Sequence, residues 1–282
     1  MRGFRTLPAA AGATVLIATA LSALNPVSAQ AAVACDETAL ITAVDAANAA
    51  GGGNVVLAAD CTYTMSVPHS SDADGPNALP IITTAITLTG DTDTIIRSTA
   101  PGTPAFRIAK VAPGGDLTLK GNVTLRNGRA ATDGGGILNH GAVTLTAGTL
   151  TGNTALGRGG ALANADIAAP AKGAVATFTN STVSDNTATG QGGGIRNGSR
   201  GSLTTTSSAV RGNTSGAQGG GIAAVDSTAT TLTSTPVSAN RAVLAGGVHR
   251  SNGVMTLTSS PISGNAPTNC VGSTPSVPGC VG

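Results

Sequence analysis

The sequence predicts an all-β chain, a single right-handed parallel β-helix (β-solenoid) with a short N-terminal capping α-helix. Two observations predict it: an internal repeat and a composition almost free of aromatic residues. From Asp133 to Asn265 a Gly-Gly-[Gly/Ala]-aliphatic step alternates with an aliphatic-x-x-Asn step. The glycine step ends at Ile137, Leu162, Ile195 and Ile222, and in shortened form at Val248. The asparagine step reads Leu150-x-x-Asn153, Val183-x-x-Asn186, Val210-x-x-Asn213, Val237-x-x-Asn240 and Ile262-x-x-Asn265. Its intervals of 33, 27, 27 and 25 residues suit one solenoid coil each, with one insertion, assigned to Asp166–Lys172. Forty Gly, one Tyr, three Phe and no Trp describe a chain that turns often and builds its core from small aliphatics. Stacked coils tolerate this, because each inward side chain meets its equivalent about 4.8 Å away in the next coil.

In chain order, residues 1–34 read as a secretory signal peptide. Arg2 and Arg5 precede an apolar stretch from Leu7 to Leu24, and small-residue cleavage sites end at Ala29, Ala31 and Ala34. Acylation at Cys35, as in a lipoprotein, is disfavoured because Ala32 stands where an aliphatic residue is usual. Without Arg2 and Arg5, 13 basic residues face 13 acidic ones, so charge gives no reason to expect nucleic acid or an anionic membrane as partner. Export accounts for four cysteines. Spacing favours Cys35 with Cys61 and Cys270 with Cys280, one staple at each end of the repeats.

Residues 35–66 form the expected cap. Asp36 starts a helix with Leu40, Ile41, Val44 and Ala47 on one face, and Gly51-Gly52-Gly53 ends it. Laid across an open solenoid end, such a helix protects core and strand edge together. Strands follow at Asn54–Leu57 and Thr62–Met65. Val67–Asn77 reads as a loop whose Asp72-Ala73-Asp74-Gly75 lacks the spacing of a calcium loop. The solenoid domain spans 67–282, with irregular early strands at Ile81-Ile82, Ile86–Thr89, Ile95-Ile96, Phe106–Ile108, Leu117–Leu119 and Val123–Leu125. Regular coils run from about 133 to 265, and a disulfide-closed tail follows.

Aligned on the asparagine step, Leu145, Phe178, Thr205, Leu232 and Leu257 share one position. Threonines flank it: Thr144 and Thr146, Thr177 and Thr179, Thr204 and Thr206, Thr231 and Thr233, Thr256 and Thr258. Alternation along a strand turns both columns outward when the central residue points in. Asn153, Asn186, Asn213, Asn240 and Asn265 are expected to hydrogen-bond as a ladder. Asn139, Asn164 and Asn197 form a second column, and Asp133, Arg158, Gln191 and Gln218 a third that pairs Asp with Arg and Gln with Gln.

At these residues a resemblance enters. The Gly-Gly-Ala-Ile and Phe-x-x-Asn steps of polymorphic outer-membrane-protein repeats are similar to Gly-Gly-Gly-Ile195 and Val183-x-x-Asn186, with an aliphatic residue replacing Phe throughout. More broadly, Cys35 to Cys270 resembles secreted bacterial right-handed parallel β-helix proteins of the pectin-lyase-like type. The cap helix and Cys61-Thr62-Tyr63-Thr64 look like their opening, and Asp74–Pro80 resembles a segment frequent in actinobacterial members. The resemblance implies the fold and little of function, because that fold carries lyases, hydrolases, adhesins and passenger domains.

Polysaccharide hydrolases on this fold need acids converging on one face, and lyases a calcium cluster with a base. The regular coils offer only Asp133, Asp166, Asp185 and Asp226, none in a shared column of adjacent coils. His140 and His249 read as solvated surface histidines. An early-coil site would draw on Asp91, Asp93, Arg97 or Arg107, which fit turns and surface pairs equally well. The expected function is therefore a secreted, non-catalytic structural or interaction module, adhesin-like and monomeric. It has no cofactor, no nucleic-acid partner and no membrane span in the mature chain, and its partner is an extracellular glycan or a cell-surface protein. The alternatives are a carbohydrate-active enzyme, lyase or glycoside hydrolase, and an ice-binding protein using the Thr-x-Thr face.

Overall fold

The computed structural model describes Gly3 and residues 31–164 and 173–282. Most of the predicted signal peptide and the Asp166–Lys172 insertion therefore lie outside the described residues. The first ordered pairing is Val33 with Leu57.

Helix α1 (Glu37–Ala49) opens the fold, as the spacing predicts. The Asp36 carboxylate accepts from the Ala39 amide at 2.8 Å, which satisfies one of the free N–H groups of the first turn. Leu40, Val44 and Ala47 are buried against the first coil, and Gly51 takes the left-handed conformation (φ +82°) beyond the helix end. Cys35 is bonded to Cys61 and Cys270 to Cys280, so both local pairings are present.

Three long parallel sheets line the coil, with a fourth of four two-residue strands from Arg129–Ala130 to Thr214–Ser215. The threonine sheet stacks Gly52–Val56, Ala85–Thr89, Asp116–Lys120, Ala142–Thr146, Val175–Thr179, Ser202–Thr206, Ala229–Thr233 and Val254–Thr258. The asparagine-step sheet also has eight strands, from Thr62–Met65 to Ile262–Ser263, and the glycine-step sheet has six, from Ala109–Val111 to Val248–Ser251. Every neighbouring pair in these sheets is parallel and one coil apart, so the fold is an all-β parallel solenoid.

Inward columns are apolar. Leu88, Leu119, Leu145, Phe178, Thr205 and Leu232 superimpose rung on rung, and all are buried. Burying each aliphatic of this kind contributes about 2 kcal/mol. Phe178 shares its strand with Ala176, a large residue beside a small one at nearly constant volume. The polar exception, Thr205, donates to Thr235 Oγ1 at 3.1 Å.

The glycine step follows from close approach of coils. A Cβ on Gly160 would lie 2.2 Å from the Gly193 carbonyl oxygen, and one on Gly193 2.5 Å from that of Gly220. In the shortened last repeat, Ala245 takes the left-handed slot (φ +52°) that Gly134, Gly159, Gly192 and Gly219 fill elsewhere. The long interval also resolves. Asn164 pairs with Asn197 and Val175 with Ser202, so six extra residues lie between the two sheets without disturbing register.

Asparagine ladders run along the corners. The Asn153 side-chain amide donates to Asn186 Oδ1 at 3.0 Å, Asn186 to Asn213 at 2.9 Å, Asn213 to Asn240 at 2.9 Å and Asn240 to Asn265 at 3.0 Å. Each Oδ1 also accepts the backbone N–H of the preceding Asn. Asn269 ends the series by accepting from Asn265 and donating to the Val281 carbonyl. The second ladder joins Asn139 to Asn164 and Asn164 to Asn197, each at 2.8 Å. In the third column Asp133 pairs with Arg158, and Gln191 donates to Gln218 at 2.8 Å.

Two local expectations are corrected. Val67–Asn77 is more than a loop: Ser70–Asp72 and Gly75–Asn77 form an antiparallel hairpin, because Lys110 and Arg107 beneath it hold Asp72, Asp74 and Asn77. Ile81-Ile82 and Phe106–Ile108 contribute single bridges, Ile82 to Val111 and Asn77 to Arg107, and no strands. Asp72 and Asp74 both pair with Lys110.

Two outcomes are expected. Asn213→Ala strands the Asn186 and Val183 backbone groups in a buried corner, and chemical denaturation should show a loss of about 3 kcal/mol, against under about 0.5 kcal/mol for Thr231→Ala. Glu37 ties α1 to the hairpin base. Burial works to raise its pKa, but hydrogen bonds from Ser66, His69 and Val67 overcome that and hold it below the ordinary carboxylate value. A lowered pKa stabilises fully above the unfolded value and is lost as pH falls through the folded one. Glu37→Gln should therefore melt earlier than wild type at neutral pH, and the gap should close below about pH 4.

Candidate binding face

The threonine sheet presents its outward columns as expected, and they are longer than the repeat alone indicates. The inner column runs Thr87, Thr118, Thr144, Thr177, Thr204, Thr231, Thr256, seven consecutive rungs in register. The outer runs Thr89, Lys120, Thr146, Thr179, Thr206, Thr233, Thr258, with Lys120 its one interruption over the same rungs. Thr87, Thr89 and Thr118 escaped the sequence alignment because their coils lack the asparagine step. Their signal was the Thr-Leu-Thr of Thr87-Leu88-Thr89 and the Leu-Thr-Leu of Leu117-Thr118-Leu119.

All ten predicted threonines are at least partly exposed. None of their hydroxyls takes a side-chain hydrogen bond among the described residues, whereas Thr89 donates to Asn54 at 2.7 Å. Strand geometry sets the grid at about 4.8 Å between rungs and about 6.7 Å along each strand. The face is thus an array of unspent hydroxyl and methyl groups, each at a repeated position. A further hydroxyl column, buried at the adjacent corner, reinforces it. Ser181, Ser208, Thr235 and Ser260 accept from the backbone N–H groups of Gly148, Ser181, Ser208 and Thr235 in turn. Its signal was a Ser or Thr five residues before each Asn from Asn186 onward.

Apart from Lys120 and Asp116, charged residues go elsewhere. Lys110, Arg107 and His140 form a buried basic group under the hairpin. Arg107 donates to Asn77 at 2.7 Å and to Thr132 at 2.7 Å, and Lys110 to Asp74 at 2.5 Å. Burial raises the Asp72 pKa, yet the Lys110 ammonium reverses that and leaves it below its ordinary value. His140 and His249 are buried, not solvated as the sequence led one to expect: His140 lies under the hairpin, 3.6 Å from Asp74, and His249 stands in the middle column of the glycine-step sheet, which is covered along its length. In that column burial, helped by Arg158, lowers the Arg196 guanidinium to about 10, and burial with Arg196 nearby lowers His249.

Among the described residues, the acids of the regular coils do not gather. Asp133 holds Arg158 at 2.7 Å, Asp226 accepts from Asn252 at 2.8 Å, Asp185 sits at a left-handed turn, and Asp166 lies outside the described residues. Asp93 is buried, accepting from Cys61 and Asp91 amides, while Arg97 lies over Phe106 with its guanidinium 5.6 Å from the ring centroid. No group of three potential metal ligands exists among the described residues, and none of their helices is long and apolar enough to cross a membrane.

No protein-family model matches the chain, and comparison with curated proteins and with solved structures returns no match.

Proposed function

We propose that the chain is a secreted, non-catalytic interaction module that holds a repetitive extracellular glycan against its threonine sheet. The observation that carries this reading is the seven-rung threonine column, in register and with hydroxyls free of intramolecular partners. A ligand that repeats along its own axis gains one weak contact per rung, and a rigid solenoid pays little ordering entropy to make them. Export is supported by two disulfides, which persist in oxidising compartments. With Cys35 bonded to Cys61, retention at the surface falls to a partner and not to a lipid on Cys35. On this reading the chain is a binding counterpart, and not an enzyme, of the pectin-lyase-like β-helices and polymorphic outer-membrane repeats that its glycine and asparagine steps resemble.

A second reading has its own support. Hydroxyls about 4.8 Å and about 6.7 Å apart match a lattice that orders water, so the same face suits ice.

Thr177, Thr204 and Thr231 changed together to Val keep shape and strand preference while deleting three hydroxyls. Sedimentation with insoluble polysaccharides should show wild type bound and the triple variant weakened about tenfold or more, with circular dichroism unchanged. Equal binding by both proteins overturns the face. Thermal hysteresis separates the readings: ice shaping by wild type, lost in the variant, selects ice, and its absence at millimolar protein removes it.

A further inference from the structure

A second polar feature lies beside the threonine face, at its corner with the glycine-step sheet. Here a cavity of about 370 Å³ is lined by Pro113, Asp116, His140, Ala142, Gly173 and Val175. Asp116 opens its strand, and its column neighbours one rung away on either side are Ala85 and Ala142, neither of which offers a donor. Asp116 Oδ1 is buried and has no hydrogen-bond partner. Its amide is bound to Thr84 O at 3.0 Å, so the backbone is fixed while the carboxylate is left unsatisfied. A buried acceptor without a donor destabilises the fold, and more so when charged. No such cost is needed for folding here, since Ala stands at the equivalent place in three of the other rungs.

We infer that this corner is a subsite for one neutral sugar ring, with a ring hydroxyl donating to the Asp116 carboxylate. The inference rests on the glycan reading above and assigns it a specificity contact. A carboxylate only accepts, and a neutral ring presents hydroxyl donors to it. The volume lies at the lower end of the about 300–1,000 Å³ typical of ligand sites, suited to one ring and far above the about 30 Å³ of a water. Val175, 43 % exposed, with Pro113 and Ala142 supplies an apolar wall for the C–H face of the ring. A divalent cation is the poorer occupant, because no cluster of three ligating side chains is present among the described residues. The glycine corner keeps the cavity open: Gly115 and Gly141 press against neighbouring carbonyls, where a side chain would not fit.

The test uses amide NMR of the mature protein titrated with methyl glycosides of neutral hexoses, pentoses and N-acetylhexosamines, and separately with ethanolamine and calcium chloride. At least one glycoside should shift the Gly114, Gly115 and Gly141 amides saturably. Asp116→Asn should weaken it about tenfold, and Val175→Trp should abolish it by filling the cavity. The Thr177, Thr204 and Thr231 valine variant should bind the glycoside as wild type does. The subsite is overturned if no glycoside moves these amides, if Asp116→Asn binds equally well, or if only ethanolamine or calcium produces the shifts. Polysaccharide retained by Asp116→Asn but lost by the valine variant sinks the subsite and leaves the face. Glycoside bound in the cavity, with polysaccharide binding unchanged in the valine variant, does the reverse.

Discussion

The structure depends on one constraint: backbone hydrogen bonds between parallel strands set each coil about 4.8 Å above the last, so every side chain must be compatible with its own copy. Aliphatics meet this without further demand. Asparagine meets it because its carboxamide is two-sided: Asn213 Oδ1 receives two N–H groups from Asn186 while its own Nδ2 donates onward to Asn240. A charged residue fails it against its own kind. Hence Asp133 is followed by Arg158 one coil later, and the buried Lys110 is answered by acids from a hairpin outside the stack.

A ladder must also end, and both ends are built for that. At the start, α1 covers the first coil, with Glu37 holding the hairpin base and Cys35 bonded to the first turn. At the finish, Asn269 takes the last carboxamide bond and the Val281 carbonyl closes the chain of donors, beside the Cys270–Cys280 loop and the buried Val277. Between these caps the corners carry buried polar ladders while the threonine sheet spends none of its predicted hydroxyls on the protein. Rigidity and an unused, repeated surface thus arise from the same stacking, which is what supports the proposed binding of an extended ligand.

Much of this was legible in the residues, because a stacked fold writes its tertiary contacts at fixed sequence intervals. The Asn153 to Asn265 ladder, the Thr-x-Thr columns and the Gln191 to Gln218 pair each needed only the repeat period to be placed. What lay outside the period was not legible. The hairpin over Lys110 depends on contacts such as Asp72 with Lys110, 38 residues apart and not repeated. His140 and His249 looked solvated because outward positions usually are, yet one is covered by the hairpin and the other by its sheet's buried middle column. The Asp116 cavity likewise depends on an Asp standing between Ala85 and Ala142 in a coil that precedes the regular repeats.

The claim beneath all of this is that carboxamides bond from coil to coil. Through-hydrogen-bond scalar coupling in a long-range HNCO experiment on the mature protein reports it directly. Cross-peaks are predicted from Asn186 Nδ2 to Asn213 Cγ and from Asn213 Nδ2 to Asn240 Cγ. Rapidly exchanging asparagine side-chain amides without such cross-peaks would contradict the stacked register on which the fold and the face both rest.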